Sequence, residues 1–312
     1  MRSRRFSTRW RRSDRADRPV PLPAIARASV SPRALVILGH PVSQSLSPVF
    51  QSAALEAVGL HVPYERHEVH AADLRSTLAA LRRTRTGGNV TMPHKEAVAQ
   101  CADRLTEVAA RTGAVNTFWW EGDELVGHNT DVHGVQATIR ALCAGGIRDD
   151  VVVLGAGGAA AAVLAGIEAH GGTGLAAPAR VVVAARSRAR AETLVRQMGS
   201  GATVADLADV DWDRVGLVVN ATPAGMQEGD APPVVVTLLA AHTAVYDLVY
   251  RRDGTAWVRA ARARGLAAED GLRMLVEQGA AAFECWFGIP APLPVMWQAL
   301  GVPQPPHDAP RP

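Results

Sequence analysis

Hydrophobic and polar positions follow two rhythms along this chain. Leu35–Leu38 is a short apolar run that stops at Gly39, the pattern of a buried strand. SLSPVFQSAALEAVGL sets a serine directly before Pro48 and then spaces apolar residues at helical intervals. It predicts a helix with proline in its first turn, ending at Gly59. PYERHEV reads as a second strand, AADLRSTLAALRRT as an amphipathic helix, GGNVT as a third strand and PHKEAVAQCA as the start of a further helix. Strands that alternate with helices predict a parallel sheet flanked by helices. GAVNTFWWEGDELVGHNTD breaks the rhythm and predicts two short strands around the turn EGDE, a hairpin.

After Gly145-Gly146 the alternation begins again. VVVLGAGGAAAAVLAGIEAHGG is strand, glycine turn and helix; RVVVAARSRARAETLVRQM repeats strand then helix; GLVVNATPAGM and TAVYDLVY are further strands. EDGLRMLVEQGAAAFECWFGI is a long helical pattern that must dock elsewhere, and the first unit can receive it. The expected fold class is α/β in two units. Residues 34–138 form the first, residues 139–269 the second, and residues 270–312 supply helices that return to the first.

Composition adds limits. Hydrophobic residues make up 48% and charged residues 20%, which suits a globular protein with a substantial core. No apolar run reaches the roughly eighteen residues of a membrane span. The net charge is +3, but residues 1–33 hold ten arginines and two aspartates, so they carry +8 and the remainder −5. The basic character therefore belongs to a tail. That tail lacks the apolar stretch of a secretory signal. An organelle transit peptide, a nucleic-acid or anionic-surface binder and an upstream extension all remain open for it, and a disordered, solvated segment is favoured. Cys101, Cys143 and Cys285 are odd in number and widely spaced, which fits a reducing cytoplasm and suggests no metal site.

Two features point to chemistry. Gly155-Ala156-Gly157-Gly158-Ala159-Ala160 fits G-x-G-x-x-A directly after VVVL and before a helix. Such a turn brings backbone N–H groups and a helix N-terminus to a pyrophosphate. The second strand of a unit that binds NAD usually ends near an acidic residue for the ribose hydroxyl. Here Ala185 is followed by Arg186, Ser187, Arg188 and Arg190, with no carboxylate. Guanidinium groups match a 2′-phosphate, so NADP is expected. Arg186 and Arg190 are the better candidates; Arg188 reads as a solvated helix position.

The second feature is a count. Of 33 basic residues one is lysine, Lys95 in NVTMPHKE. Arginine cannot give up its proton in a protein, whereas lysine can act as acid or base. Polar residues gather at the other predicted strand ends: Ser45 and Ser47 in SQSLSP, Thr91 beside Lys95, Asn116 in GAVNT and Asp131 in HNTD. Strand ends are where α/β sheets place ligands. A lysine, an aspartate and a dinucleotide turn together suggest proton transfer coupled to hydride transfer.

The stretches GHPVSQSLSP, GGNVTMPHK, GAVNT, GHNTD, VVLGAGGAA, ARSRARAE, NATPAGM and EDGLRMLVEQGAAAF occur in the order found in the shikimate dehydrogenase family, and the chain resembles that family over residues 34–290. The resemblance implies a substrate-binding catalytic domain completed by the C-terminal helices, a Rossmann-like NADP-binding domain, and interconversion of 3-dehydroshikimate and shikimate. It implies Lys95 and Asp131 as the catalytic pair and Ser45 and Ser47 on the substrate carboxylate. Thr91, Asn116, Asp131 and Gln278 would hold the ring hydroxyls, with Tyr250 nearby. Gly155, Ala156, Gly157, Gly158 and Ala159 would carry the pyrophosphate, and Arg186, Ser187 and Arg190 the adenosine phosphate. Thr222, Leu248, Gly271 and Met274 would line the nicotinamide side. It further implies a cytoplasmic monomer or homodimer with a small-molecule substrate and no nucleic-acid or membrane partner.

The chain departs from the family pattern at Val132-His133-Gly134, Ala185-Arg186-Ser187 and Arg251-Arg252. Quinate/shikimate and aminoshikimate dehydrogenases are therefore alternative expectations. An Arg-tailed nucleic-acid or surface binder on an inherited fold is the alternative from another class. His40, His94, His128 and His133 near the expected cleft read as structural.

Overall fold

The computed structural model describes residues 27–147, 149–171, 177–227, 229–302 and 304–305. Most of the Arg-rich tail lies outside them. The described part of that segment is attached to the fold: Ala28 N–H donates to the Cys285 carbonyl at 2.7 Å, and Pro32 is buried.

The first unit comprises β1 (Ala34–Gly39), α1 (Ser47–Ala57), β2 (Tyr64–Glu68), α2 (Leu74–Thr84), β3 (Thr86–Val90), α3 (Lys95–Cys101), β4 (Arg104–Leu105), α4 (Glu107–Thr112), β5 (Thr117–Glu121), β6 (Glu124–His128) and α5 (Asp131–Leu142). Its sheet runs β2-β1-β3-β5-β6-β4. β1 pairs in parallel with β2 and β3, and the hairpin β5–β6 joins antiparallel to β3. The expected hairpin thus extends the expected parallel sheet and makes it mixed.

The second unit comprises β7 (Asp150–Leu154), α6 (Gly158–Gly171), β8 (Val181–Ala184), α7 (Arg188–Met198), β9 (Thr203–Val204), β10 (Val215–Asn220), β11 (Ala244–Asp247), α8 (Ala256–Ala263) and β12 (Ala268–Glu269). Its sheet, β12-β11-β10-β7-β8-β9, is parallel throughout. β7 is buried along its whole length, as expected for the unbroken apolar run of a central parallel strand. The strand order reverses between β7 and β10, and the crevice beyond that point is the usual ligand position of such sheets.

The chain then returns. α9 (Leu272–Phe287) and α10 (Leu293–Ala299) pack on α1, and Phe283, Trp286, Met296 and Trp297 share a core with Leu35, Ile37 and Phe50. α5 packs against both α6 and α9, so it runs between the two units. The boundary expected at residues 138–139 falls inside this helix.

Candidate active site

Two helices begin at one point. Lys95 is the first residue of α3 and Asp131 the first of α5. Lys95 Nζ lies 2.6 Å from Asp131 Oδ2. The lysine side chain keeps 21% of its exposure and the aspartate 5%, so the pair opens to solvent on the lysine side. A helix N-terminus favours a carboxylate. Asp131 Oδ1 also accepts from Asn116 Nδ2 at 2.8 Å, which leaves both carboxylate oxygens engaged.

Asn116 is the hub of the cluster. It stands one residue before β5 rather than within a strand. Its Nδ2 approaches Thr130 Oγ1 at 3.0 Å and Gln278 Oε1 at 3.1 Å, while its Oδ1 accepts from Thr130 N–H at 2.7 Å. Gln278 arrives from α9, so the returning helix completes the site. On the other side, Asn89 Nδ2 donates to the Asn116 carbonyl at 3.0 Å, and Tyr64 Oη donates to Asn89 Oδ1 at 2.6 Å. The Tyr64 hydroxyl also meets the Ser47 side chain, and burial pushes its pKa up.

Ser47 is buried and Ser45 is half-buried. Ser45 Oγ accepts from Ser47 N–H at 3.3 Å, and neither side chain caps α1. Thr91 sits at the turn that leads to Lys95 and accepts from His94 N–H through its carbonyl at 3.0 Å. Tyr250 is half-buried with its hydroxyl on the Leu46 backbone, and desolvation raises its pKa. One continuous polar network therefore joins Ser47 to Asn116, Lys95, Asp131 and Gln278. Tyr64, Asn89 and Thr130 are additions that the sequence patterns did not single out. Asn89 and Thr130 lie inside the motifs NVT and NTD, but nothing in PYERHEV marks Tyr64.

His94, His128 and His40, expected as structural, make local contacts. His94 Nε2 bonds the Val69 carbonyl at 2.6 Å, and His128 Nδ1 bonds Thr106 Oγ1 at 2.7 Å. His40 Nδ1 faces Glu68 at 3.0 Å. Burial pushes His128 and His133 down to about 4.

The second unit offers a cleft of about 740 Å³ at the carboxyl ends of its strands. Leu154, Ala185, Arg186, Asp206, Thr222 and Pro223 are among the residues that line it. Gly155 follows β7 with φ +116°, and a Cβ there would stand 2.8 Å from the Ala221 carbonyl. Around Gly157 a Cβ would meet only open space, which leaves the approach to the N-terminus of α6 clear. These features fit a dinucleotide. Thr222 is fixed from beneath, because Asn220 Oδ1 accepts its N–H at 3.1 Å and its hydroxyl at 2.6 Å. Asn220 Nδ2 donates in turn to Asp247 Oδ1 at 2.8 Å, and Thr255 Oγ1 donates to Asp247 Oδ2 at 2.7 Å. Desolvation raises Asp247 to about 6 despite these bonds. A Cβ on Gly271 would stand 2.1 Å from the Leu248 carbonyl, so those two backbones touch; Met274, one helical turn on, is buried.

Three expected phosphate contacts separate here. Arg186 lines the cleft. Ser187 caps α7, accepting from Arg190 N–H at 3.4 Å, and neither Ser187 nor Arg190 is among the lining residues. Arg188 pairs with Glu192 on the helix surface, as expected of a solvated position.

The chain is similar to known proteins in sequence and fold. The family model for the shikimate dehydrogenase substrate binding domain matches residues 37–118, and that for the shikimate 5'-dehydrogenase C-terminal domain matches residues 271–300. The shikimate dehydrogenase (NADP(+)) of Symbiobacterium thermophilum is 41% identical over 276 residues, covering 85% of this chain and 92% of its own length. That of Methylocella silvestris is 40% identical, covering 83% and 91%. The shikimate 5-dehydrogenase of Thermus thermophilus, solved with NADP(H) and shikimate, is 37% identical with a TM-score of 0.74, covering 86% of this chain and 98% of that one. The fold also carries other chemistry: 5-ketofructose reductase of a Gluconobacter strain matches with a TM-score of 0.73 and 29% identity, covering 86% and 98%. Sequence relatives of this identity and coverage, together with the two-unit fold and the Lys95–Asp131 pair, place the chain in the shikimate dehydrogenase family.

Proposed function

We propose that this chain catalyses the reversible, NADP-dependent reduction of 3-dehydroshikimate to shikimate. The observation that carries the reading is the 2.6 Å contact between Lys95 and Asp131, set in a polar network with Asn116 and Gln278. NADP(H), when bound, supplies or accepts the hydride. Lys95 Nζ gives a proton to the substrate oxygen as a carbonyl becomes a hydroxyl, and takes it back in the reverse direction. Asp131, fixed by Asn116, holds the Lys95 ammonium and accepts from the reacting hydroxyl.

Ser45 and Ser47 hold the substrate carboxylate; Thr91, Asn116 and Gln278 hold ring hydroxyls, with Tyr250 alongside. The backbone from Gly155 through Ala156, Gly157 and Gly158 to Ala159 carries the pyrophosphate. Arg186, with Ser187 and Arg190 as further candidates, would hold the 2′-phosphate. Thr222, Leu248, Gly271 and Met274 border the nicotinamide. The enzyme acts in the cytoplasm as a monomer or homodimer. The three cysteines are free, and no helix among the described residues is long and apolar enough to cross a membrane.

The test is turnover of shikimate, quinate and aminoshikimate, each with NADP and with NAD, followed by nicotinamide absorbance. Fast turnover of shikimate with NADP is expected. Preference for quinate or aminoshikimate would replace the substrate and keep Lys95 and Asp131 in their roles. Deleting residues 1–26 is expected to leave turnover unchanged; a loss of turnover would assign the tail a part in function.

A further inference from the structure

Arg66 follows Tyr64 by two residues in β2, so both side chains leave the same face of the strand. Both reach one loop. The Tyr64 hydroxyl meets the Ser47 side chain, and the Arg66 guanidinium donates twice to the Ser45 carbonyl, from Nε at 3.1 Å and from Nη2 at 2.7 Å. Ser45 and Ser47 can orient a carboxylate through their hydroxyls but bring no charge. The ammonium of Lys95 is already answered by Asp131. The acidic neighbours of Arg66 in the strand are engaged elsewhere, Glu65 with His67 and Glu68 with His40. A guanidinium has five N–H donors, of which Ser45 takes two. Arg66 is thus an exposed cation, fixed by a neutral carbonyl, on the loop that receives the substrate's anionic end.

We propose that Arg66 recognises the charge of the substrate: its guanidinium pairs with the ring carboxylate that the Ser45 and Ser47 hydroxyls orient, and so selects carboxylate-bearing substrates over neutral polyols. This rests on the proposed function, which supplies the carboxylate. A carboxylate drawn out of bulk water needs a cation or strong donors to offset its lost hydration. A guanidinium held by two bonds is already arranged to supply one.

The test is calorimetric titration of shikimate and of its methyl ester into the wild type, Arg66→Ala and Arg66→Lys, with melting temperatures as a check on folding. Arg66→Ala is expected to weaken shikimate binding roughly tenfold and leave the ester unchanged, with Arg66→Lys between. Added salt should weaken shikimate binding more in the wild type than in Arg66→Ala. Equal loss for acid and ester would overturn the proposal and make Arg66 a brace for the Ser45 backbone; no loss for either would overturn it as well. Wild-type turnover of shikimate tests the underlying reading separately. An enzyme that turns over shikimate with no Arg66 effect sinks only this proposal, whereas a wild type that binds neither compound sinks both.

Discussion

Asp131 accepts from Lys95 on one oxygen and from Asn116 on the other, while its own N–H donates to Asn129 Oδ1 at 3.1 Å. A carboxylate so nearly buried needs both of its donors, Lys95 and Asn116. Asp131→Asn is expected to keep the fold and lose roughly a hundredfold or more in kcat, because an amide cannot hold the ammonium in place; steady-state kinetics beside a matched thermal melt checks this. Asp247 plays a quieter part beneath Thr222. Its folded pKa of about 6 lies above the ordinary aspartate value of 3.8. The folded state therefore holds this proton more tightly, and the group's contribution to stability falls as pH rises from about 4 to 6, by about 3 kcal/mol. Asp247→Asn should remove that fall, and should raise KM for NADP through a loosened Thr222. Urea unfolding across this range, with cofactor kinetics at neutral pH, measures both. The meeting of Lys95 and Asp131 was legible in part, because Lys95 is the one lysine and both stand in motifs, NVTMPHK and GHNTD, that carry the family resemblance. Asp247 and Tyr64 were not, because their roles arise from contacts between strands.

The helix α9 does two jobs. It fills the core of the first sheet with Phe283 and Trp286 and brings Gln278 to Asn116. It starts directly after Gly271, whose α-carbon leaves no room beside the Leu248 carbonyl. Gly271→Ala must push β11 and α9 apart, at an expected cost of about 1–3 kcal/mol, with weaker NADP binding. A chemical denaturation curve and a cofactor titration would show it; an alanine variant of wild-type stability would contradict the contact. The longer elements were legible because each carries several turns or strand residues of one periodicity. β4, β9 and β12 have two residues each and no period to read. α8 is held by packing and by Thr255, whose hydroxyl both caps it and bonds Asp247. The hairpin was legible as a hairpin, but its place beside β3 depends on pairing that sequence patterning does not specify.

For the whole molecule, burial of neutral histidines contributes to the response to acid. His128 and His133 are pushed from 6.5 down to about 4, so the unfolded chain binds protons that the folded one refuses. Their contribution is full above about 6.5 and is lost as pH falls through 4; for His128 this amounts to about 3 kcal/mol. His128 and Asp247 act in opposite directions over nearly the same range, and His133 tips the sum toward acid lability. Stability should therefore fall between pH 6.5 and 4, and His128→Asn should reduce the slope; an unchanged slope in equilibrium unfolding would contradict the assignment. The two-unit plan was legible in the restart after Gly145-Gly146. The use of α5 as a shared element was not, since its apolar positions serve α6 and α9 at once. The proposed role of Lys95, the chain's one lysine, is acid and base. Its most direct test is single-turnover hydride transfer from NADPH to 3-dehydroshikimate by Lys95→Arg. That variant keeps the positive charge beside Asp131 but cannot release a proton. A rate lower by roughly a hundredfold or more, with substrate still bound, is predicted; near-normal transfer by Lys95→Arg would exclude Lys95 as the acid and base.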